Sequence, residues 1–221
     1  MNIKGLIFDL DGVIVDTAKY HYMAWKDIAD ELLIPFTETY NEKLKGVSRN
    51  RSFELILEIG NLQLSEEEKE AYCDKKNRRY IEYISKLDES DVLPGVQKIL
   101  EEARVKGFKI ALGSASKNAA YILEKLKLLS LFDCIIDGNK VQKAKPDPEV
   151  FVLAAEGMGL PCKACIVFED AAAGIEAAHR ADMMAIGVGS VEYLEKADLV
   201  IDGFNKIDIE NILDRLNESS Y

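Results

Sequence analysis

The chain has 221 residues, 48% of them apolar, and a formal charge of −11. That length suits one domain of ordinary size plus a smaller insert, with apolar content enough for a real core. The acidic balance disfavours a general binder of nucleic acid or of anionic membrane, so an anionic substrate needs a local cationic pocket.

An apolar run, Gly5-Leu6-Ile7-Phe8, predicts a buried first strand over about Lys4 to Leu10. From Thr17 to about Ser90 the sequence reads as nearly all helical and strongly charged. Tyr22, Trp25, Ile28, Ala29 and Leu32 form a helical stripe over His21 to Leu33, and Asn50 to Gly60 and Ser65 to Ile84 read similarly. Ser65 and Glu68 have capping-box spacing. From Val92 onward helices and strands alternate. Helices are expected over Val96 to Lys106, Lys117 to Leu126, Pro148 to Met158 and Gly174 to Ala181. The strands between and after them are Phe108 to Leu112, Cys134 to Ile136, Ala164 to Phe168 and Met184 to Val188. Such alternation predicts an α/β fold: a Rossmann-like, doubly wound parallel sheet with functional loops at the carboxyl ends of its strands. The helical block interrupts it as an inserted cap. Residues 1–16 and 91–221 are expected to form the catalytic core and residues 17–90 the cap, with crossings near Ile14 to Thr17 and Glu89 to Pro94.

No N-terminal stretch has the order of a signal peptide, and charges interrupt each apolar run before membrane-spanning length. A cytoplasmic, monomeric protein with no nucleic-acid or membrane partner is expected. Cys73, Cys134, Cys162 and Cys165 are too sparse for a disulfide scaffold, and Cys162 and Cys165 lack the second pair that completes a four-thiolate zinc site.

Asp9 and Asp11 close the first strand, and continuing its alternation would bring both carboxylates to one side. Paired carboxylates suit nucleophilic and acid–base work beside a metal, although Asp11-Gly12 is equally a turn signal. Phe8 to Thr17 resembles the first motif of the haloacid dehalogenase superfamily, in its phosphotransferase form. Ile110 to Asn118 is similar to the second motif, Lys145-Pro146 to the third, and Ile166 to Asp170 to the fourth. Within that superfamily, Leu44 to Arg49 together with Ser114 to Asn118 most resembles the β-phosphoglucomutase group.

The resemblance implies isomerisation of β-D-glucose 1-phosphate and 6-phosphate, with Asp9 as nucleophile and Asp11 as acid and base. It implies Mg2+ bound by Asp9, Asp170, the Asp11 backbone carbonyl and Glu169. Ser114 and Ala115 are then expected at the transferring phosphate, and Lys145 offsets its charge. The second phosphate of the activator and intermediate, glucose 1,6-bisphosphate, is assigned to Arg49 with Ser116, Lys117 and Asn118. Gly46, Val47 and Ser48 belong to the same cap motif, Lys76 matches a sugar contact, and Thr17 and His21 match positions that align Asp11. Taken alone, several of these have plainer readings: Arg49 as a solvated loop residue, Ser114 and Ser116 to Asn118 as helix caps, His21 as an interfacial histidine, Lys76 as part of a solvated basic face. Trp25 reads as packing and His179 as structural or exposed. Two departures stand out: Gly113 where alanine often precedes the serine, which would loosen the phosphate loop, and Ala171 where serine is common. A magnesium-dependent sugar-phosphate phosphatase of the same superfamily is the alternative, since it needs no site for a second phosphate.

Overall fold

Gly5-Leu6-Ile7-Phe8 forms β1 (Gly5–Phe8), and all four residues are buried. The computed structural model describes residues 2–44 and 47–218. β1 lies inside a six-stranded sheet with β2 (Lys109–Gly113), β3 (Cys134–Ile136), β4 (Cys165–Glu169), β5 (Met184–Val188) and β6 (Leu199–Ile201). The strand order is β3-β2-β1-β4-β5-β6, and every pairing is parallel. A parallel strand covered on both faces reads as a continuous apolar run, which is what β1 and the Cys165-Ile166-Val167-Phe168 stretch of β4 show. The order reverses between β1 and β4, and in open sheets that point holds the ligand crevice.

The chain divides into two compact units, Met1–Asp16 with Asp88–Tyr221, and Thr17–Leu87. The second contains α1 (Ala18–Glu31), α2 (Glu38–Glu42), α3 (Arg49–Ile59) and α4 (Glu66–Ile84). Trp25, Ile28, Phe36, Phe53, Ile56 and Leu57 form its core, with Trp25 and Phe53 stacked at 5.7 Å. α4 starts with the capping box expected from Ser65 and Glu68: Glu68 N–H donates to Ser65 Oγ at 3.3 Å and Ser65 N–H to Glu68 Oε2 at 2.8 Å. Residues 88–90, placed with the helical block on sequence, group with the sheet unit. There Asp88 caps a short 3-10 turn, Glu89–Asp91, accepting from Ser90 N–H at 2.8 Å, and Glu89 pairs with Lys127 at 2.5 Å.

The first unit adds α5 (Val96–Val105), α6 (Ala119–Lys125), α7 (Glu149–Gly157), α8 (Ala172–Arg180) and α9 (Ile209–Glu218). Below the switch point Phe8 and Phe168 stack at 4.6 Å, with Phe204 tilted against both. β6, α2 and α9 are not among the elements expected from sequence. β6 is three residues long and follows the charged segment Glu195 to Asp198, so its pattern is too short to stand out. α9 buries Ile209, Ile212 and Leu216 on one stripe, a helical period present in the sequence but not recognised. Among the described residues no helix is long and apolar enough to cross a membrane.

Candidate active site

The register Phe8↔Phe168 puts the residues following β1 beside the end of β4, and Asp9 N–H donates to Phe168 O at 2.9 Å. The register Phe8↔Leu112 brings the end of β2 to the other side. Lys145 reaches into this junction from the segment after β3. Its Nζ donates to Asp9 Oδ1 at 2.7 Å, Glu169 Oε2 at 2.9 Å and Gly113 O at 3.1 Å. The Lys145 side chain is only 5% exposed, the Glu169 side chain 2% and Asp9 10%, so this is a desolvated ion cluster rather than a surface pair. The Lys145 ammonium also lies 4.7 Å over the Phe151 ring. The Lys145–Pro146 peptide is cis.

Removal from water would lower the Lys145 pKa, but Asp9 and Glu169 outweigh it and hold the ammonium above its ordinary range. Burial pushes Glu169 up to about 8; Lys145 opposes the rise, and the charges of Asp9 and Asp170 add to it. Asp9 and Glu169 share the Lys145 ammonium, and the Asp170 carboxylate lies close to both.

Asp9, Glu169 and Asp170 each present a carboxylate oxygen within 4.8 Å of the others. Such hard oxygen donors fit a divalent cation of the magnesium class. Two glycines make room for them. A β-carbon at Gly12, where φ is +75°, would lie 2.1 Å from Asp170 Oδ2, and one at Gly174 would lie 2.0 Å from the Glu169 carboxyl carbon. Ala171 N–H donates to Glu169 Oε1 at 3.3 Å, so the backbone orients this carboxylate where a serine hydroxyl is absent. Asp11 does not lie on a continued strand. β1 ends at Phe8, the chain turns back through Gly12 N–H to Val15 O at 2.9 Å, and Asp11 forms an isolated bridge with Val15. Strand alternation is therefore not what positions it.

Ser114 follows β2 and is buried, its N–H donating to Ile136 O at 3.0 Å. Ser114 Oγ accepts from Ser116 N–H at 3.2 Å, and Ser116 Oγ from Asn118 N–H at 3.3 Å, so a tight loop runs to α6 with Ala115 and Lys117 exposed. Gly113 does not loosen this loop by leaving empty space. A β-carbon there would lie 2.9 Å from the Phe151 ring and 3.2 Å from Ile7 Cγ2, so the strand end is already filled.

In the second unit Thr17 is fully buried and accepts from Tyr80 Oη at 3.2 Å. Lys76 is buried rather than on a solvated face: its Nζ lies 2.9 Å from His21 Nδ1, 4.6 Å over the Tyr80 ring and 5.0 Å over the Trp25 ring. With the ammonium donating to Nδ1, the imidazole is neutral and carries its proton on Nε2. Desolvation, then the charges of Lys76 and Arg49, hold His21 well below the usual histidine range. Arg49 opens α3, where Ser48 Oγ caps by accepting from Arg51 N–H at 3.4 Å, and its Nη2 donates to Asn77 Oδ1 at 2.8 Å. Val47 N–H donates to Leu44 O at 3.1 Å. Gly46 lies outside the described residues.

The sequence profile of the haloacid dehalogenase-like hydrolases matches residues 3–182, which takes in the Asp9, Ser114, Lys145 and Asp170 segments. The chain belongs to the haloacid dehalogenase-like hydrolase family. This family member is 42% identical to the β-phosphoglucomutase of Bacillus subtilis, over 94% of this chain and 93% of that one. It superposes on the crystal structure of β-phosphoglucomutase from Clostridium difficile with a TM-score of 0.94 and 44% identity, covering 98% of each chain. It is also 30% identical to the phosphorylated carbohydrates phosphatase of Thermotoga maritima, over 98% of this chain and 99% of that one.

In each of the two units some of the residues around these groups escape a reading by motif. Gly12 is visible only as part of a turn, because the Asp170 carboxylate it admits comes from a distant segment, and Gly174, which admits the Glu169 carboxylate, carries no motif signal. Tyr80, in contact with Thr17, His21 and Lys76, reads in sequence only as an aromatic on a long helix. His179 bonds Asp198 Oδ2 at 2.9 Å on the first unit's surface. The Cys162 and Cys165 thiols are free, and burial raises both pKa values, Cys165 to about 11, which keeps them protonated near neutral pH.

Proposed function

We propose that this chain is a cytoplasmic β-phosphoglucomutase acting as a monomer. It interconverts β-D-glucose 1-phosphate and β-D-glucose 6-phosphate through phospho-Asp9 and β-glucose 1,6-bisphosphate. The observation that carries the reading is the buried Asp9–Lys145–Glu169 cluster, in a chain similar over nearly its whole length to proteins named β-phosphoglucomutase.

In the forward step an Asp9 carboxylate oxygen forms a bond to phosphorus as the bond from phosphorus to the donor oxygen breaks. Asp11 gives its proton to the departing sugar oxygen and takes one back when a sugar hydroxyl attacks phospho-Asp9. Lys145, already bonded to Asp9 at 2.7 Å, offsets charge that builds on the transferring group. Ser114 Oγ and the Ala115 backbone bind the same phosphoryl oxygens. Mg2+, held by Asp9, Glu169, Asp170 and the Asp11 carbonyl, would supply the remaining positive charge. Ser116, Lys117 and Asn118 from the first unit bind the second phosphate. Gly46, Val47, Ser48, Arg49 and Lys76 are the second unit's contributors to sugar-phosphate recognition. Thr17 and His21 support the proton transfers of Asp11.

Hydrolysis is the second reading, favoured by the similarity to the Thermotoga maritima phosphatase, because the same phosphoaspartate then needs only water as acceptor. The deciding experiment supplies β-glucose 1-phosphate, Mg2+ and catalytic glucose 1,6-bisphosphate, and records glucose 6-phosphate and inorganic phosphate together. Isomer in large excess over free phosphate supports the mutase. Stoichiometric free phosphate makes the chain a phosphatase.

A further inference from the structure

The Ser114–Asn118 loop is gripped by the turn that follows β3. Gly138 N–H donates to Ser116 O at 3.1 Å, and Asn139 Nδ2 donates to Lys117 O at 2.9 Å. A β-carbon at Gly138 would lie 2.2 Å from Ala115 O, so no other residue allows this approach without moving backbone. Asn139 is itself oriented by the buried carboxylate of Asp137, which accepts from Asn139 N–H at 3.0 Å and from Nδ2 at 3.2 Å.

The consequence follows from peptide geometry. In a trans peptide the C=O and the following N–H point in opposite directions. Engaging Ser116 O therefore turns the Lys117 N–H away from Gly138, and engaging Lys117 O does the same for the Asn118 N–H. Asn118 N–H is taken by Ser116 Oγ, as Ser116 N–H is by Ser114 Oγ. Lys117 N–H is left as a donor whose direction the turn sets.

We propose that Gly138 and Asn139 are positioning residues for recognition of the second phosphate of the bisphosphate, acting by fixing the peptide planes from Ala115 to Asn118. This rests on the mutase reading. Asn139 engages only Lys117 O of this loop, so its removal should weaken binding of the bisphosphate and leave phosphoryl transfer from a single-phosphate substrate intact, whereas a side chain at Gly138 presses on Ala115 O and disturbs both.

The test uses Asn139→Ala, Asn139→Asp and Gly138→Ala in the full chain. Asn139 is exposed, and its substitutions keep the fold within reach. The readouts are the KM for glucose 1,6-bisphosphate as activator, kcat for isomerisation, and hydrolysis of p-nitrophenyl phosphate. Losing one neutral hydrogen bond should raise the bisphosphate KM about fivefold in Asn139→Ala. Asn139→Asp, which sets an acceptor against Lys117 O, should raise it further, and so should Gly138→Ala. In the two Asn139 variants hydrolysis of p-nitrophenyl phosphate should stay within about twofold of the unsubstituted enzyme. An unchanged bisphosphate KM in the folded Asn139 variants overturns the proposal, and so does a parallel fall in both reactions in those variants. Absence of isomerisation in the unsubstituted chain overturns the mutase reading first and this inference with it.

Discussion

Gly12 and Asp170 meet through a missing side chain: a β-carbon at position 12 would sit 2.1 Å from Asp170 Oδ2, at a backbone φ of +75°. Gly12→Ala therefore combines left-handed strain of roughly 1–2 kcal/mol with displacement of a proposed metal ligand. The Mg2+ concentration for half-maximal activity should rise at least about tenfold, equivalent to about 1.4 kcal/mol of binding. A titration of activity against Mg2+ checks it. An unaltered Mg2+ requirement would show that Asp170 can move aside at no cost.

Lys145→Met removes the buried ammonium bonded to Asp9 and Glu169. Breaking a buried pair in this way costs about 3–5 kcal/mol, so the melting temperature should fall and turnover should be lost. Mg2+ should recover more of the melting temperature in this variant than in the unsubstituted protein, because the ion then neutralises charge that Lys145 no longer meets. Melting curves with Mg2+ and with chelator decide the matter.

Arg49→Ala removes the guanidinium bound to Asn77 at 2.8 Å. Under the mutase reading it should raise the KM for glucose 1,6-bisphosphate by about tenfold to a hundredfold, the range of a lost charge-assisted hydrogen bond. Hydrolysis of a single-phosphate substrate should be spared. Equal losses in the two reactions would remove Arg49 from second-phosphate recognition.

His21 should remain neutral well below its unfolded pKa of about 6.5. A base whose folded pKa is depressed binds fewer protons folded than unfolded, so its contribution lowers stability as pH falls below about 6.5. The chain has two histidines, so the His21 ring resonances can be followed by NMR across that range. Lys76→Met removes a charge 2.9 Å from Nδ1 and should raise the His21 midpoint toward the ordinary value. No change in that midpoint would mean that desolvation and the Arg49 charge set it without Lys76.

The β/α alternation from Val96 to Val188 is legible because each element has its own apolar period. Spacing alone is silent on partnership between segments. Lys76 reads as one cation in a basic run, yet Trp25 and Tyr80, an α1 residue and an α4 residue, bury it. Gly113 reads as a loosened strand end, yet Phe151 from α7 fills the space. For Asp11, extrapolating the strand fails because the chain leaves β1 at Phe8 to make the turn closed by Gly12 and Val15. The motifs mark which residues have chemistry, while packing decides what each one touches.

Lys145 meets Asp9 across a sequence separation of 136 residues, and Glu169 joins the cluster only after that. During synthesis the whole Thr17–Leu87 unit precedes either partner of Asp9. A ribosome-bound chain that ends before β4 thus carries Asp9 and Lys145 without Glu169 and Asp170. Domains fold as units during synthesis, and distant pairings close late. Under the proposed function, phosphoryl transfer therefore waits until β4 brings Glu169 and Asp170 to Asp9.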